Sequence, residues 1–377
     1  MAQSFLERTY NHFENITDPR VDRGANHSLK EMIFVALCAT ICGADSWADV
    51  ERYGNTKIDW IRRFIKLDNG VPSHDTFGRV FARLDSIEFY AALQSWVADI
   101  AGSLKGETIA FDGKTLRGSF DSASGKSPLH SVSAWACGLR LTLGLTSVSE
   151  KSNEIPAVQE LINVLDLEGS VVTADAMHCQ RETAKAVVDK NADYIFVAKG
   201  NQPTLADELN KAIVEAFDQD NPDMRCHHKR EINRGREEYR EVSVLPCPKN
   251  SSVFSNWPGM QTIGVIYRSR EINGVLEESS ETFITSLPCK VRDISKRIRQ
   301  HWGCENRQHY ILDVTFTEDA SRIRKGTSPE ISSVFRRLAL SILQRDTTMK
   351  DSIRGKRKCC GWDNGTLERL VACFQRD

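Results

Sequence analysis

The chain has no Cys-x-x-Cys pair, although it holds 11 cysteines among 377 residues. An odd, scattered set in a chain this long does not suit a disulfide framework, and it points to a reducing compartment without structural zinc. Cys38 and Cys42 lie one helical turn apart in an apolar run and are expected as buried thiols. Long hydrophobic runs are also missing. The most apolar stretch, Met32–Ala44, is shorter than the ~20 residues a bilayer crossing needs, and Asp45 follows it. The first 20 residues carry acids and no apolar centre, so no secretory leader is expected. These absences predict a cytoplasmic protein with no membrane partner. A surplus of either charge is lacking too: 50 Lys and Arg face 51 Asp and Glu, for a net charge of −1. That argues against a protein that simply coats nucleic acid, since such proteins usually carry a basic surplus. It leaves room for a DNA enzyme, because an acidic metal site and a basic groove cancel in the sum. There is neither an internal repeat nor a low-complexity tract.

What is present reads as two or three domains. Residues 1–95 are expected to be a helical N-terminal domain. Ser28 with Glu31 reads as a capping box for a helix over Leu29–Cys42 that ends at Gly43. Further helices follow in WADVERYG, IDWIRRFI and HDTFGRVFARLD, an arrangement compatible with DNA contact or with a plain helical bundle. From residue 104 the period changes. Glu107–Asp112 reads as a strand, Leu129–Cys137 and Leu139–Ser147 as a hairpin, Glu154–Leu165 as a helix, Gly169–Asp175 as a strand, Gln180–Lys190 as a helix and Asp193–Lys199 as a strand. The fold class is therefore α/β, a mixed sheet flanked by helices. Residues from about 205 to 290 are expected to be a β-rich insertion within a catalytic domain spanning 104–345. Helical character returns at Asp293, and residues 346–377 read as a basic, exposed C-terminal tail.

Asp112 and Asp175 each terminate an apolar strand at what should be one sheet edge, where sites commonly form. A lone acid there could cap a turn, as in Asp112-Gly113. Two on neighbouring strands repel unless something positive lies between them. Glu305 is the third candidate, on a helix where His301, Glu305 and His309 recur every four residues. The two histidines stand roughly 12 Å apart along that axis, too far to chelate one ion together. Three carboxylates favour Mg²⁺, with Mn²⁺ as a substitute. Their combined chemistry is metal-assisted phosphoryl transfer.

The segments IAFDGKTLRGS (Ile109–Ser119), VVTADAMHCQ (Val171–Gln180), FVAKGNQ (Phe196–Gln202) and IRQHWGCENRQHYILDVTFTED (Ile298–Asp319) resemble the DDE transposases of bacterial insertion sequences. The likeness is to the branch with the H-repeat-associated proteins found beside Rhs elements. VPSHDTFGRVFARLD (Val71–Asp85) resembles the domain that precedes the catalytic core in that branch. The resemblance implies a ribonuclease H-like core, with Asp112, Asp175 and Glu305 as catalytic metal ligands. It also implies binding to double-stranded DNA at terminal inverted repeats and in target DNA, by a homo-oligomer in the nucleoid. Lys114, Lys199, Asn201 and Arg299 fall at polar positions of the pattern and are expected at DNA phosphates. His301 and Leu312 stand where many relatives place Arg and Lys; His301 is then a substitute phosphate contact, and Asp313 a fallback ligand. Arg234, Arg236 and Arg240 in the insertion, with Arg268 and Arg270, are further candidate DNA contacts. His227–His228 reads as loop polarity. A catalytically silent DNA-binding relative and a different ribonuclease H-like nuclease are the alternatives.

Overall fold

The computed structural model describes residues 11–20, 26–120, 125, 127–148, 154–233, 236–272 and 275–373. Its helices and strands follow the hydrophobic periods closely. The apolar run folds as helix α1 (Leu29–Ile41), which is buried on every side from Met32 to Ile41. That is the expected fate of a helix without a polar face. The capping box expected at Ser28 does not form: the Ser28 side chain caps nothing, and Glu31 instead accepts the Leu67 backbone N–H at 3.0 Å. A true capping box occurs one helix later, where Ser46 and Asp49 exchange hydrogen bonds at the start of α2 (Trp47–Thr56). Helix α3 (His74–Phe81) is capped by Ser73, and α4 (Ser86–Ala101) by Asp85.

The strands that follow are β1 (Thr108–Leu116), β2 (Leu129–Ala136) and β3 (Leu141–Val148), an antiparallel meander. Helix α5 (Glu154–Val164) leads to β4 (Val171–Ala174), α6 (Arg181–Asp189) and β5 (Asp193–Ala198). Strands β4 and β5 continue the sheet parallel to β1. The order β3-β2-β1-β4-β5 is the ribonuclease H-like core. After α7 (Pro203–Asp218) come β6 (Arg225–Asn233), β7 (Arg236–Pro246), β8 (Thr262–Ile272) and β9 (Val275–Thr285). The β-rich insertion is not a separate sheet: β9 pairs antiparallel with β5, so nine strands run in the order β3-β2-β1-β4-β5-β9-β8-β7-β6. His227 and His228 lie on edge strand β6 rather than in a loop. That strand, RCHHKREIN, lacks apolar alternation because an edge strand can be polar on both faces.

Alternate residues sort to opposite sides of the sheet, as the pleat requires. Ile109, Phe111, Val172, Tyr194 and Phe196 join the main core, shared with α1, α4, α5 and α10 (defined below). Val171, Ile195, Ile266 and Phe283 pack on the other side with Ile294 and Ile298. Those two belong to α8 (Val291–Cys304), which lies across β1, β4, β6 and β7. A π turn over Glu305–His309 joins α8 to α9 (Tyr310–Val314). Helix α10 (Ser328–Arg345) is almost wholly buried between α1 and the sheet, with the Phe335 ring tilted against Phe81 and edge-on to Phe89.

The segment expected to be an exposed basic tail is instead α11 (Ile353–Trp362) and α12 (Asn364–Cys373). Lys356 and Arg357 are buried there, and Arg357 donates to the Thr40 carbonyl at 3.1 Å and to Asp45 at 3.0 Å. Backbone acceptors and an acid satisfy the buried cations, so positive charge alone did not mark a surface. Among the described residues no helix is long and apolar enough to cross a membrane.

Candidate active site

Asp112 does not end its strand. Strand β1 continues to Leu116, and Asp112 sits in mid-strand opposite Ser133 of β2. Strand β4, by contrast, stops at Ala174, so Asp175 follows its last residue directly. Phe111 pairs with Ala174 in parallel register, which brings Asp112 and Asp175 side by side. Both acids share the pleat parity of the α8 side. Gly113, one residue on, faces the other side, and its value is space: a Cβ there would lie 2.5 Å from Glu154 Oε2 and 3.0 Å from His130 Nε2.

The three sequence-predicted carboxylates come together. Asp112, Asp175 and Glu305 all line one open cavity of about 520 Å³, floored by β4 and β5 and walled by α8. Burial, then the neighbouring Asp175 carboxylate, pushes Asp112 up to about 7. Asp175 moves the other way, held below the usual range chiefly by the neighbouring His301 imidazole. His301 Nε2 lies 3.6 Å from Asp175 Oδ1, while its Nδ1 meets Thr173 Oγ1 at 3.0 Å. His309 Nδ1 lies 3.2 Å from Asp112 Oδ2. Burial first, then repulsion by Arg337 and Lys114, lowers His309 to about 4, so the ring is neutral. The two histidines therefore attend different acids.

The expected phosphate contacts separate. Lys199 is half exposed on the cavity rim and paired with Glu281 at 2.6 Å. Asn201 donates to the Ala176 carbonyl at 2.7 Å and so steadies the turn after Asp175. Arg299 is exposed and only loosely held, 3.7 Å from Glu231. Lys114 is not free for DNA: it is buried, 2.6 Å and 2.7 Å from the two oxygens of Asp313. The same pairing occupies Asp313, the fallback ligand. Arg240 is largely covered and tied to Glu238 and to Glu231, the latter at 3.1 Å. Arg236 opens β7, and Arg234 lies outside the described residues. Arg268 is bound to Glu281 at 3.0 Å and stacks 4.3 Å from the Trp302 ring centre. Arg270 pairs with Glu277 at 2.6 Å.

Sequence reasoning did not assign Thr173 or Glu281 to the cavity, nor single out Glu154 on the opposite side of the sheet. Thr173 had a signal, being the polar residue two before Asp175 on the same strand face. Glu154 is buried at the start of α5, with His130 Nε2 at 2.7 Å and His178 Nε2 at 3.7 Å. Its only sequence sign was an acid opening an amphipathic helix, which is common.

Comparison with known proteins places the chain in a family. Residues 104–342 match the family model described as "Transposase DDE domain", and residues 10–97 match the DDE_Tnp_1-associated model. The chain belongs to the DDE transposase family, and its function is that of a DNA transposase. It is 33% identical over 375 residues to the H repeat-associated putative transposase YhhI of Escherichia coli, covering 97% of this chain and 98% of the relative. Against putative transposase YncI of Escherichia coli O157:H7 it is 34% identical over 362 residues, covering 95% and 92%. Among solved structures it is similar to a piggyBac transposase synaptic complex with hairpin DNA, with a TM-score of 0.40 and 10% identity over 99% of this chain and 76% of that one.

Proposed function

We propose that Asp112, Asp175 and Glu305 are the catalytic carboxylates of a two-metal site that cleaves the ends of an insertion element and joins them to target DNA. The observation that carries this reading is the meeting of three acids from β1, β4 and the π turn in one open cavity. Family membership supports a divalent metal, and the donor set supports magnesium, because all three ligands are carboxylate oxygens. Burial first, and then the Asp175 carboxylate beside it, displace Asp112 upward, and a cation between the two acids would offset both. A divalent ion held there supplies Lewis-acid polarisation of phosphate oxygen and a more acidic water or 3′-hydroxyl.

The chain's own groups do the positioning. Asp112 is fixed by its pairing with Ser133 of β2, one residue beyond the last β1–β4 pair, and Asp175 lies beside His301, itself anchored on Thr173. Glu305 opens the π turn and closes the cavity from the α8 side. We assign Lys199, Arg299 and His301 to DNA phosphate, since Lys199 and His301 line the cavity and Arg299 is exposed beside it on α8. Asn201 serves at one remove, through Ala176. Arg236 remains a proposed contact on the insertion, and Arg240 would have to leave its two glutamates to join it. Inverted-repeat ends as the DNA bound, a homo-oligomer on DNA, a cytoplasmic, nucleoid-associated location, and Mn²⁺ in place of Mg²⁺ belong to the same reading. So does the division into domains at 1–95 and 104–345.

The test is a strand-nicking assay on duplexes carrying the element ends, with Mg²⁺. Asp112→Asn, Asp175→Asn and Glu305→Gln are each expected to lower nicking at least about 100-fold while end binding persists. Undiminished nicking by Asp112→Asn would end the assignment.

A further inference from the structure

The π turn does something the four-residue spacing of the sequence did not suggest. In a regular α-helix two residues five apart point about 140° apart around the axis. The turn over Glu305–His309 carries i→i+5 geometry, which gathers Cys304 and His309 on one face. Facing them is Asp112. Its carboxylate, the Cys304 sulfur and a His309 ring nitrogen all lie within 4.8 Å of one another. Cys304 is buried, and its thiol donates to Gln308 Oε1 at 3.2 Å. His309 is largely buried, and its Nε2 is enclosed without a hydrogen-bond partner.

One sulfur, one imidazole nitrogen and one carboxylate oxygen are a poor set for magnesium, which prefers oxygen alone. They are the donors of a zinc-class ion with three protein ligands and an open fourth position. Zinc bond lengths place the ligand atoms of a tetrahedral site about 3.3–3.7 Å apart. Asp112 Oδ2 and His309 Nδ1 already stand 3.2 Å apart, and the Cys304 sulfur lies within 4.8 Å of the other two ligand atoms. The thiol releases its one proton to solvent as the metal–sulfur bond forms.

We propose that Asp112, Cys304 and His309 form a soft-metal site for Zn²⁺ that competes with the catalytic ion for Asp112. The two occupancies exclude each other because both need the Asp112 carboxylate. Zinc binding therefore silences strand cleavage without touching Asp175 or Glu305.

Metal-free full-length protein titrated with Co²⁺, a spectroscopic stand-in for zinc, tests the ligands without reference to DNA. One equivalent is expected to raise a thiolate-to-cobalt charge-transfer band that zinc then bleaches. Cys304→Ser is expected to abolish the band, and His309→Gln to weaken binding about tenfold or more, both checked for folding by circular dichroism. Absence of the band in the parent, or its survival at full amplitude in Cys304→Ser despite ten other cysteines, overturns the site. In the Mg²⁺ nicking assay, stoichiometric zinc is expected to inhibit the parent and to spare Cys304→Ser. Equal inhibition of both overturns the competition while leaving the three-carboxylate reading intact; loss of nicking in the absence of zinc would instead count against that reading.

Discussion

At the scale of single residues, Asp112 is a carboxylate kept where it is uncomfortable. In the folded, metal-free protein it holds its proton to about pH 7, against an ordinary value of 3.8. Between those values the folded state binds more protons than the unfolded one, so stability falls as pH rises across that window. Asp112→Asn removes the penalty. In chelator, the melting temperature of Asp112→Asn is expected to match the parent near pH 4 and to exceed it by about 2–5 °C at pH 7. Added Mg²⁺ should close the gap from the parent's side, since the cation relieves the same repulsion. A gap that ignores pH would mean the burial of Asp112 does not control its titration. The asparagine variant would then be more stable and inactive together, the usual relation between an active site and its scaffold.

At the scale of elements, the segment that follows the π turn of Glu305 is held by a charge pair that no solvent reaches. Glu318, in the turn after α9, meets Arg337 of α10 at 2.8 Å, and both side chains are fully buried. Ser333 adds a hydrogen bond to the same carboxylate at 3.1 Å. Removing one partner strands the other charge, which costs about 3–5 kcal/mol, whereas removing both can be nearly neutral. Arg337→Met is therefore expected to lower the denaturation midpoint sharply, and Arg337→Met with Glu318→Leu to recover most of the loss. A double variant no better than the single would show that the pair is not the reason. Most of these elements were legible because apolar period and caps act locally: β4, β5, α3 and the β2–β3 hairpin stand where the pattern set them. The exceptions share one physical cause, namely partners distant in sequence. Lys114 reads as a phosphate ligand until Asp313 arrives from α9. Asp112 reads as a strand end until β2 extends the pairing. A helical wheel puts His301, Glu305 and His309 in line, and only the π turn reveals that the histidines serve different acids.

At the scale of the whole molecule, the N-terminal helices, the sheet and the C-terminal helices share one continuous core. Helices α11 and α12 close it. Cys360, Leu367, Leu370 and Val371 are buried against α1 and α10. Arg357 threads between elements far apart in the chain, bonding to the Thr40 and Thr315 carbonyls and stacking 4.1 Å from the Phe316 ring centre. Lys356 bonds to the Leu343 carbonyl at 3.1 Å and pairs with Asp346 at 2.9 Å. Burial of a large apolar side chain is worth about 1.5–3 kcal/mol, so these few residues together rival the 5–15 kcal/mol net stability of an ordinary domain. An exposed basic tail could be removed at no cost to folding. A chain ending at Asp346 is instead expected to lose cooperative unfolding or to aggregate, because the cut uncovers the apolar sides of both α1 and α10. Differential scanning calorimetry of the truncated and full chains decides the matter: an unchanged, cooperative transition in the shorter chain would mean that the last two helices only decorate the core that carries the transposase site.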